Sequence, residues 1–198
     1  MTDIGEIYVL PQLSELLDRA APGVSISTVR NAGVNLRDEM EAGRVDLALG
    51  WLPDLKAGFM QRRMIRHKYV CLFRKGHPLD KASITQDEFC AAKHVVVVSA
   101  GSGHGVADET MERSGVERNI KLEVPHFVAV GHILRETELV ATVPERFAER
   151  CAEPFGLSFV PAPIPLPEIA INLFWHTKYH RDPGNLWLRE LLFETFSE

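Results

Sequence analysis

The chain has 198 residues, 45% hydrophobic and 25% charged, with 22 Lys and Arg against 27 Asp and Glu and a formal net charge of -5. That content suffices for one good core or two small linked ones and excludes disordered and fibrous classes. The acidic balance argues against a free-standing nucleic-acid binder, which needs clustered cations to neutralise phosphates, and the densest basic group, Arg62, Arg63 and Arg66, reads as solvated surface.

Residues 8–20 read as a helix, with Pro11 assigned to its first turn, where proline is tolerated. Residues 24–29 alternate as a strand. Asn35 is a cap for a helix from Leu36 to about Ala42, closed by Gly43, and residues 45–49 follow as a buried strand. The runs 60–65 and 69–73 are short and apolar, and Lys75, Gly76, His77 and Pro78 make a turn after them. This is where a second lobe begins.

There, residues 85–92 read as helix and 94–99 as a buried, valine-dense strand. The loop Gly101-Ser102-Gly103-His104-Gly105 opens a helix to about Arg113. Strand 121–124, helix 127–135, strand 139–143 and helix 145–152 continue the alternation, and the Pro-rich stretch 161–167 reads as an extended linker. Residues 169–175 alternate as a strand. From Pro183 a terminal amphipathic helix puts Leu186, Leu188, Leu191, Leu192 and Phe196 on or near one face. The pattern is α/β, and returning the last strand and helix to the first lobe predicts two lobes, 1–62 with 167–198 and 63–166, with a hinged cleft between them.

Cys71, Cys90 and Cys151 are odd in number and lack metal or redox spacing, which fits reduced thiols in the cytoplasm. The first twenty residues carry Asp3, Glu6, Glu15 and Asp18 and no basic run, unlike a secretory signal, and no apolar stretch is long enough to span a membrane. No cofactor fingerprint is present. His176 and His180 have the i, i+4 spacing of a zinc pair, but the strand before them and Pro183 after argue against a helix there, and no metal is expected.

Three helix starts can face an anion. The glycine loop follows a buried strand and presents backbone N–H groups backed by the helix dipole at His104 and Gly105, although it lacks the spacing of a phosphate or dinucleotide loop. Thr2 and Asp3 begin the first helix and either cap it or face a ligand. Val143-Pro144-Glu145-Arg146 sets Arg146 in a first turn, as a bidentate carboxylate clamp or a surface ion pair. His67, where the chain first crosses between lobes, can donate to a phenolic or carboxylate oxygen. Ser102 beside His104 forms no nucleophile elbow, and no paired carboxylates are found, so an enzyme is not expected.

The phrases Gly43-Arg44-Val45-Asp46-Leu47-Ala48-Leu49-Gly50, Phe73-Arg74-Lys75-Gly76-His77-Pro78-Leu79 and Glu138-Leu139-Val140-Ala141-Thr142-Val143-Pro144 resemble, in order and spacing, the effector-binding domain of LysR-type transcriptional regulators. Met1-Thr2-Asp3-Ile4-Gly5-Glu6, Gly103-His104-Gly105 and Ile169-Ala170-Ile171-Asn172-Leu173-Phe174-Trp175-His176 look like the branch answering to salicylate and nitroaromatic compounds. The resemblance spans essentially the whole chain. It implies a periplasmic-binding-protein type II-like fold of two Rossmann-like subdomains joined by two hinge crossings. Ligand contacts would fall at Thr2, Asp3, His67, His104, Gly105 and Arg146, with Ile171 as an apolar wall. Trp51 and Val9 depart from the apolar residues expected of the branch. The resemblance further implies a small aromatic acid as effector, no cofactor, a homodimer that is a tetramer in the full-length regulator, and DNA contact only through an N-terminal winged helix-turn-helix outside these residues. On this reading the sequence begins after, or within, the family's first strand. A solute-binding protein for transport, or an enzyme on a similar scaffold, is the competing expectation.

Overall fold

The computed structural model describes residues 1–30, 35–98 and 103–197. The chain divides into two compact units: unit 1 is Met1–Arg66, Gly101–Gly103 and Ala170–Glu198, and unit 2 is His67–Ala100 and His104–Ile169.

In unit 1, helix α1 (Asp3–Ala20) starts where the Thr2 hydroxyl accepts the Gly5 N–H at 3.4 Å, with Asp3 and Glu6 in the positive first turn and Arg19 in the last. Pro11 lies well inside this helix rather than in its first turn, because the helix begins five residues earlier than the apolar pattern predicts. It is exposed, so its ring crowds no packed neighbour. Ile4, Val9, Leu13 and Leu17 form the buried stripe. A short helix α2 (Leu36–Glu41) precedes Gly43, whose φ of 75° ends it in the left-handed region, and leads to strand β1 (Ala48–Gly50).

Strand β8 (Ile169–His176) pairs antiparallel with β1, Ala48 opposite Phe174, and with β2 (Phe59–His67), in the order β1-β8-β2. The pleat of β8 splits its side chains between two cores. Leu173 and Trp175 join Val9, Leu13, Leu17, Leu49, Met64 and Leu192, while Phe174 joins Met40, Ala48 and Leu55.

Two expectations fail here. Residues 24–29 form no ladder, and of 45–49 only the last two join a strand. Both segments line, with α1, an apolar groove of about 260 Å³, at Met1, Val24, Ile26, Val29, Val45 and Leu47 among others. In helix α7 (Pro183–Phe196) Leu192 is buried and Leu188, Leu191 and Phe196 pack partly buried against the same core, as predicted, while Leu186 is 41% exposed and Asn185, Arg189 and Phe193 are buried as well. A polar knot holds the first turns of this helix. Arg189 lies 4.3 Å over the Trp175 ring and donates to Asn185 Oδ1 and to the His180 carbonyl, both at 2.9 Å, while Asn185 Nδ2 donates to the Asp46 carbonyl at 3.1 Å. The His176 and His180 segment is a strand end and a 3₁₀ turn, in which His180 Nδ1 accepts from Trp175 Nε1, and no cluster of potential metal ligands occurs among the described residues.

Unit 2 is a five-stranded mixed sheet in the order β5-β4-β6-β3-β7. Within it, β3 (Tyr69–Arg74) has Val70, Cys71, Leu72 and Phe73 all buried, so the strand reads as a continuous apolar run. It pairs antiparallel with β6 (Leu139–Pro144) and with β7 (Leu157–Pro161), a strand that the Pro-rich reading of this region hid. The strand β4 (Lys93–Val97) runs parallel to β6 and to the edge strand β5 (Asn119–Val124). Helix α3 (Gln86–Ala91) carries a capping box from Thr85 and Glu88; α4 spans Gly105–Arg113, α5 spans Val130–Arg135 after a 3₁₀ turn, and α6 spans Glu145–Phe155, closed by Gly156 at φ 64°. Cys71 and Cys151 are buried free thiols, and burial pushes them up to about 12 and about 11. No helix among the described residues is long and apolar enough to cross a membrane.

Packing of α5 on α6 depends on Gly131, where an added Cβ would fall 2.7 Å from Phe155 Cδ2 and 2.8 Å from its Cε2. Gly131→Ala gains about 1 kcal/mol of helix propensity but forces a packed ring aside, at a cost of about 1–3 kcal/mol. The expected outcome is a lower thermal midpoint by differential scanning calorimetry, recovered when Phe155→Leu is added. A midpoint that rises on the single substitution would show that the ring yields freely.

Candidate functional site

The junction of β2 and β3 gathers most of the chemistry of unit 2. Tyr69 opens β3 opposite Pro144, and the Glu145 N–H donates to the Lys68 carbonyl at 2.9 Å, so the start of α6 is stitched beside the stretch His67-Lys68-Tyr69. Arg146, the second residue of α6, is half-buried there. On the other side of Tyr69, His104 immediately precedes α4 in helical conformation without capping it through its side chain.

The His104 ring is held on two sides. Its Nδ1 lies 3.2 Å from the Tyr69 hydroxyl, and the ring meets Phe127 edge to face at 4.9 Å, with Phe127 resting in turn on Phe147 at 5.4 Å. Both His104 and His67 are 5% exposed. Burial, reinforced by the neighbouring His67, pushes His104 down to about 3, so its imidazole is neutral at physiological pH. The Tyr69 phenol is raised, by burial first and then by Asp108, and keeps its proton.

Beneath this pair Arg118 and Asp108 form an ion pair at 2.7 Å, with the arginine side chain 5% exposed. Burial raises the Asp108 carboxyl and Arg118 opposes that rise. A cavity of about 10 Å³, the size of a single water, is lined by Tyr69, His104, Asp108, Arg118 and Thr142. The buried Thr142 hydroxyl has no hydrogen-bond partner among the described residues.

Of the residues singled out in the sequence, His67, His104, Gly105 and Arg146 therefore lie in unit 2. Gly105 is exposed and begins α4, and a Cβ there would meet nothing within 4 Å. Thr2, Asp3 and Ile171 lie in unit 1. Thr2 caps α1, Asp3 is the first residue of that helix, and Ile171 is half-buried against the core of the unit. In the glycine loop Gly103 has φ 71°, and a Cβ would stand 2.8 Å from Trp51 Cβ, so only glycine fits beside that indole. Gly101 and Ser102 of this loop, and Ser99 at the end of the preceding predicted strand, lie outside the described residues. Sequence reasoning missed Tyr69, Phe127, Thr142 and the Asp108–Arg118 pair. For Tyr69 the signal was present, a polar-tipped aromatic at the head of a fully apolar strand, since such a hydroxyl needs a partner when buried.

The LysR substrate binding domain family matches residues 1–197, and the chain belongs to that family. It is 56% identical over 198 residues to the HTH-type transcriptional activator NagR of Ralstonia sp and 54% identical over 198 residues to the HTH-type transcriptional activator NahR of Pseudomonas putida. Each match covers 100% of this chain and 66% of the relative, so the chain spans just under two thirds of their length. Among solved structures, the regulatory domain of MexT, a transcriptional activator in Pseudomonas aeruginosa, superposes with a TM-score of 0.82 at 27% identity, covering 98% of this chain and 96% of that one. The effector binding domain of QuiR in complex with shikimate gives 0.70 at 13% identity over 96% of this chain and 90% of that one, a likeness of fold. The chain is thus an effector-binding domain of the LysR type, with the periplasmic-binding-protein type II-like fold, and its relatives are transcriptional regulators rather than enzymes.

Proposed function

We propose that this domain senses a small aromatic carboxylate such as salicylate and thereby controls transcription of aromatic-degradation genes. The expected contacts that share one unit are His67, His104, Gly105 and Arg146 of unit 2. The observation that carries the reading is the pairing of two unlike groups at one place: the buried, neutral His104 and the half-buried Arg146 at the start of α6, both beside the stretch 67–69. Arginine at a helix start suits a carboxylate, through bidentate hydrogen bonds and the dipole of the helix. A neutral imidazole suits an adjacent hydroxyl, which it can meet as donor or acceptor without a competing charge. The effector is bound and not transformed, and its binding shifts a conformational equilibrium of the regulator. In this reading the domain acts in the cytoplasm as a homodimer, tetrameric in a longer regulator whose DNA contact is made by a helix-turn-helix; two relatives are named HTH-type transcriptional activators.

Isothermal titration of the folded domain with salicylate, benzoate, 4-hydroxybenzoate and cyclohexanecarboxylate tests this. Salicylate is expected to bind at micromolar to millimolar concentration and more tightly than benzoate, which lacks the hydroxyl. Absence of heat with all four, from protein whose melting transition is intact, would overturn the reading.

A further inference from the structure

We infer that unit 2 carries a binding site for one water molecule, in the small cavity walled by Thr142 of β6, Asp108 of α4 and the Tyr69 hydroxyl of β3, and that this water is a permanent part of the fold. The site lies within one unit, and the inference stands whether or not the effector reading holds.

Thr142 supplies the first reason. Its Oγ1 is buried and meets no hydrogen-bond partner among the described residues, and a stranded hydroxyl is costly. Elsewhere the chain settles its threonines locally: the hydroxyls of Thr110, Thr137 and Thr195 donate to the carbonyl four residues back, at 2.6, 2.8 and 2.7 Å. A strand offers no such carbonyl. Thr142 lies inside β6, opposite Cys71 of β3, so its side chain stands off the sheet and its partner must come from what packs over that face.

The cavity beside it, about 10 Å³, has room for a single water and for nothing larger. Its chemistry selects the same occupant. Asp108 and Arg118 line it as an ion pair at 2.7 Å, so an added anion would face the carboxylate and an added cation the guanidinium. A neutral dipole escapes both penalties. Water can donate to the Asp108 carboxylate, accept from Thr142 and meet the Tyr69 phenol, which is one donor and one acceptor and shares one of these with His104 Nδ1 at 3.2 Å. Being donor and acceptor at once, water fits either direction of that bond. Partners from α4, β3 and β6 fall within the roughly two to four that hold a buried water.

Thr142→Val tests the site by the sign of a stability change. Valine keeps the shape of threonine and suits a strand, so in a dry cavity it removes a stranded hydroxyl and the thermal midpoint rises. With the water bound, valine takes away one of its partners, and the midpoint is expected to fall by about 2–4 °C. Oxygen-17 relaxation dispersion of the solvent should count one fewer long-lived water in Thr142→Val than in the wild type or in Thr142→Ser, which keeps the hydroxyl. A midpoint that rises in Thr142→Val, or equal counts of long-lived water in that variant and the wild type, would overturn the proposal. Should the valine protein not fold, a crystal structure of the wild-type domain decides: density for a water within hydrogen-bond reach of Thr142 Oγ1 upholds the site, and an empty cavity sinks it.

Discussion

Replacing Arg146 with glutamine is expected to weaken salicylate binding by about 100-fold or more. Truncating one partner of a desolvated, hydrogen-bonded charge pair costs about 2–5 kcal/mol, and each 1.4 kcal/mol is tenfold in affinity. Arg146→Lys should fall between the two, because it keeps the charge and loses the planar fork that meets both carboxylate oxygens. Calorimetric titration of the three proteins, with melting curves for each, measures this. Undiminished affinity in Arg146→Gln would remove the carboxylate clamp from this position.

The second large effect concerns acid. His94 is fully buried, with its Nε2–H donating to the Phe89 carbonyl at 2.8 Å, and burial pushes it down to about 4; His104 is pushed down to about 3 by the same cause and by His67. Both lie in unit 2. In the unfolded chain each titrates near 6.5, so between about pH 6.5 and 4 the unfolded state holds more protons and stability falls as pH falls, by about 1.4 kcal/mol per unit for each site. The stability that these neutral histidines confer is complete above 6.5 and is lost on the way down to their folded values. Glu39, Glu88 and Glu138, lowered by Arg44, Lys81 and Arg74 respectively, act in the same direction but only below their usual range near 4.5. Asp108, raised by burial, works the other way, also at the acid end.

Against a total stability of about 5–15 kcal/mol, two such sites remove a large share as the pH falls to 4. Urea denaturation monitored by circular dichroism at pH 7, 6, 5 and 4 should show the midpoint concentration dropping steeply below pH 6.5. His94→Gln keeps a donor for the Phe89 carbonyl without titrating, and should flatten that slope by about half. Parallel slopes in the two proteins would mean that His94 is not the source.

Most elements were legible because their boundaries are local chemistry. Thr85 and Glu88 announce the capping box of α3, Gly43 closes α2, and the valine-dense run before the glycine loop becomes β4. The α/β class followed from these alternations. What failed has tertiary causes. Segment 24–29 has the composition of a strand but pairs with none, β7 was masked by the prolines that follow it, and beside the leucines of α7 the charged Arg189 is also buried, by reaching Trp175 and His180.

For the site, helix starts were readable: α4 begins at Gly105 and α6 at Glu145. The partner of His104 was not, because Tyr69 lies 35 residues away and meets it through the order of strands in a sheet. The same holds for Asp108 and Arg118, ten residues apart on α4 and the approach to β5, whose union depends on how that loop returns.

The interleaving of the two units in the sequence also sets a schedule. Strand β3 emerges early from the ribosome, yet both of its neighbours, β6 and β7, come much later, and β1 must wait still longer for β8. At about 5–20 residues per second of synthesis, the most apolar strand in the chain spends several seconds without its sheet. That order of segments predicts a yield of folded chain that falls as the growth temperature rises.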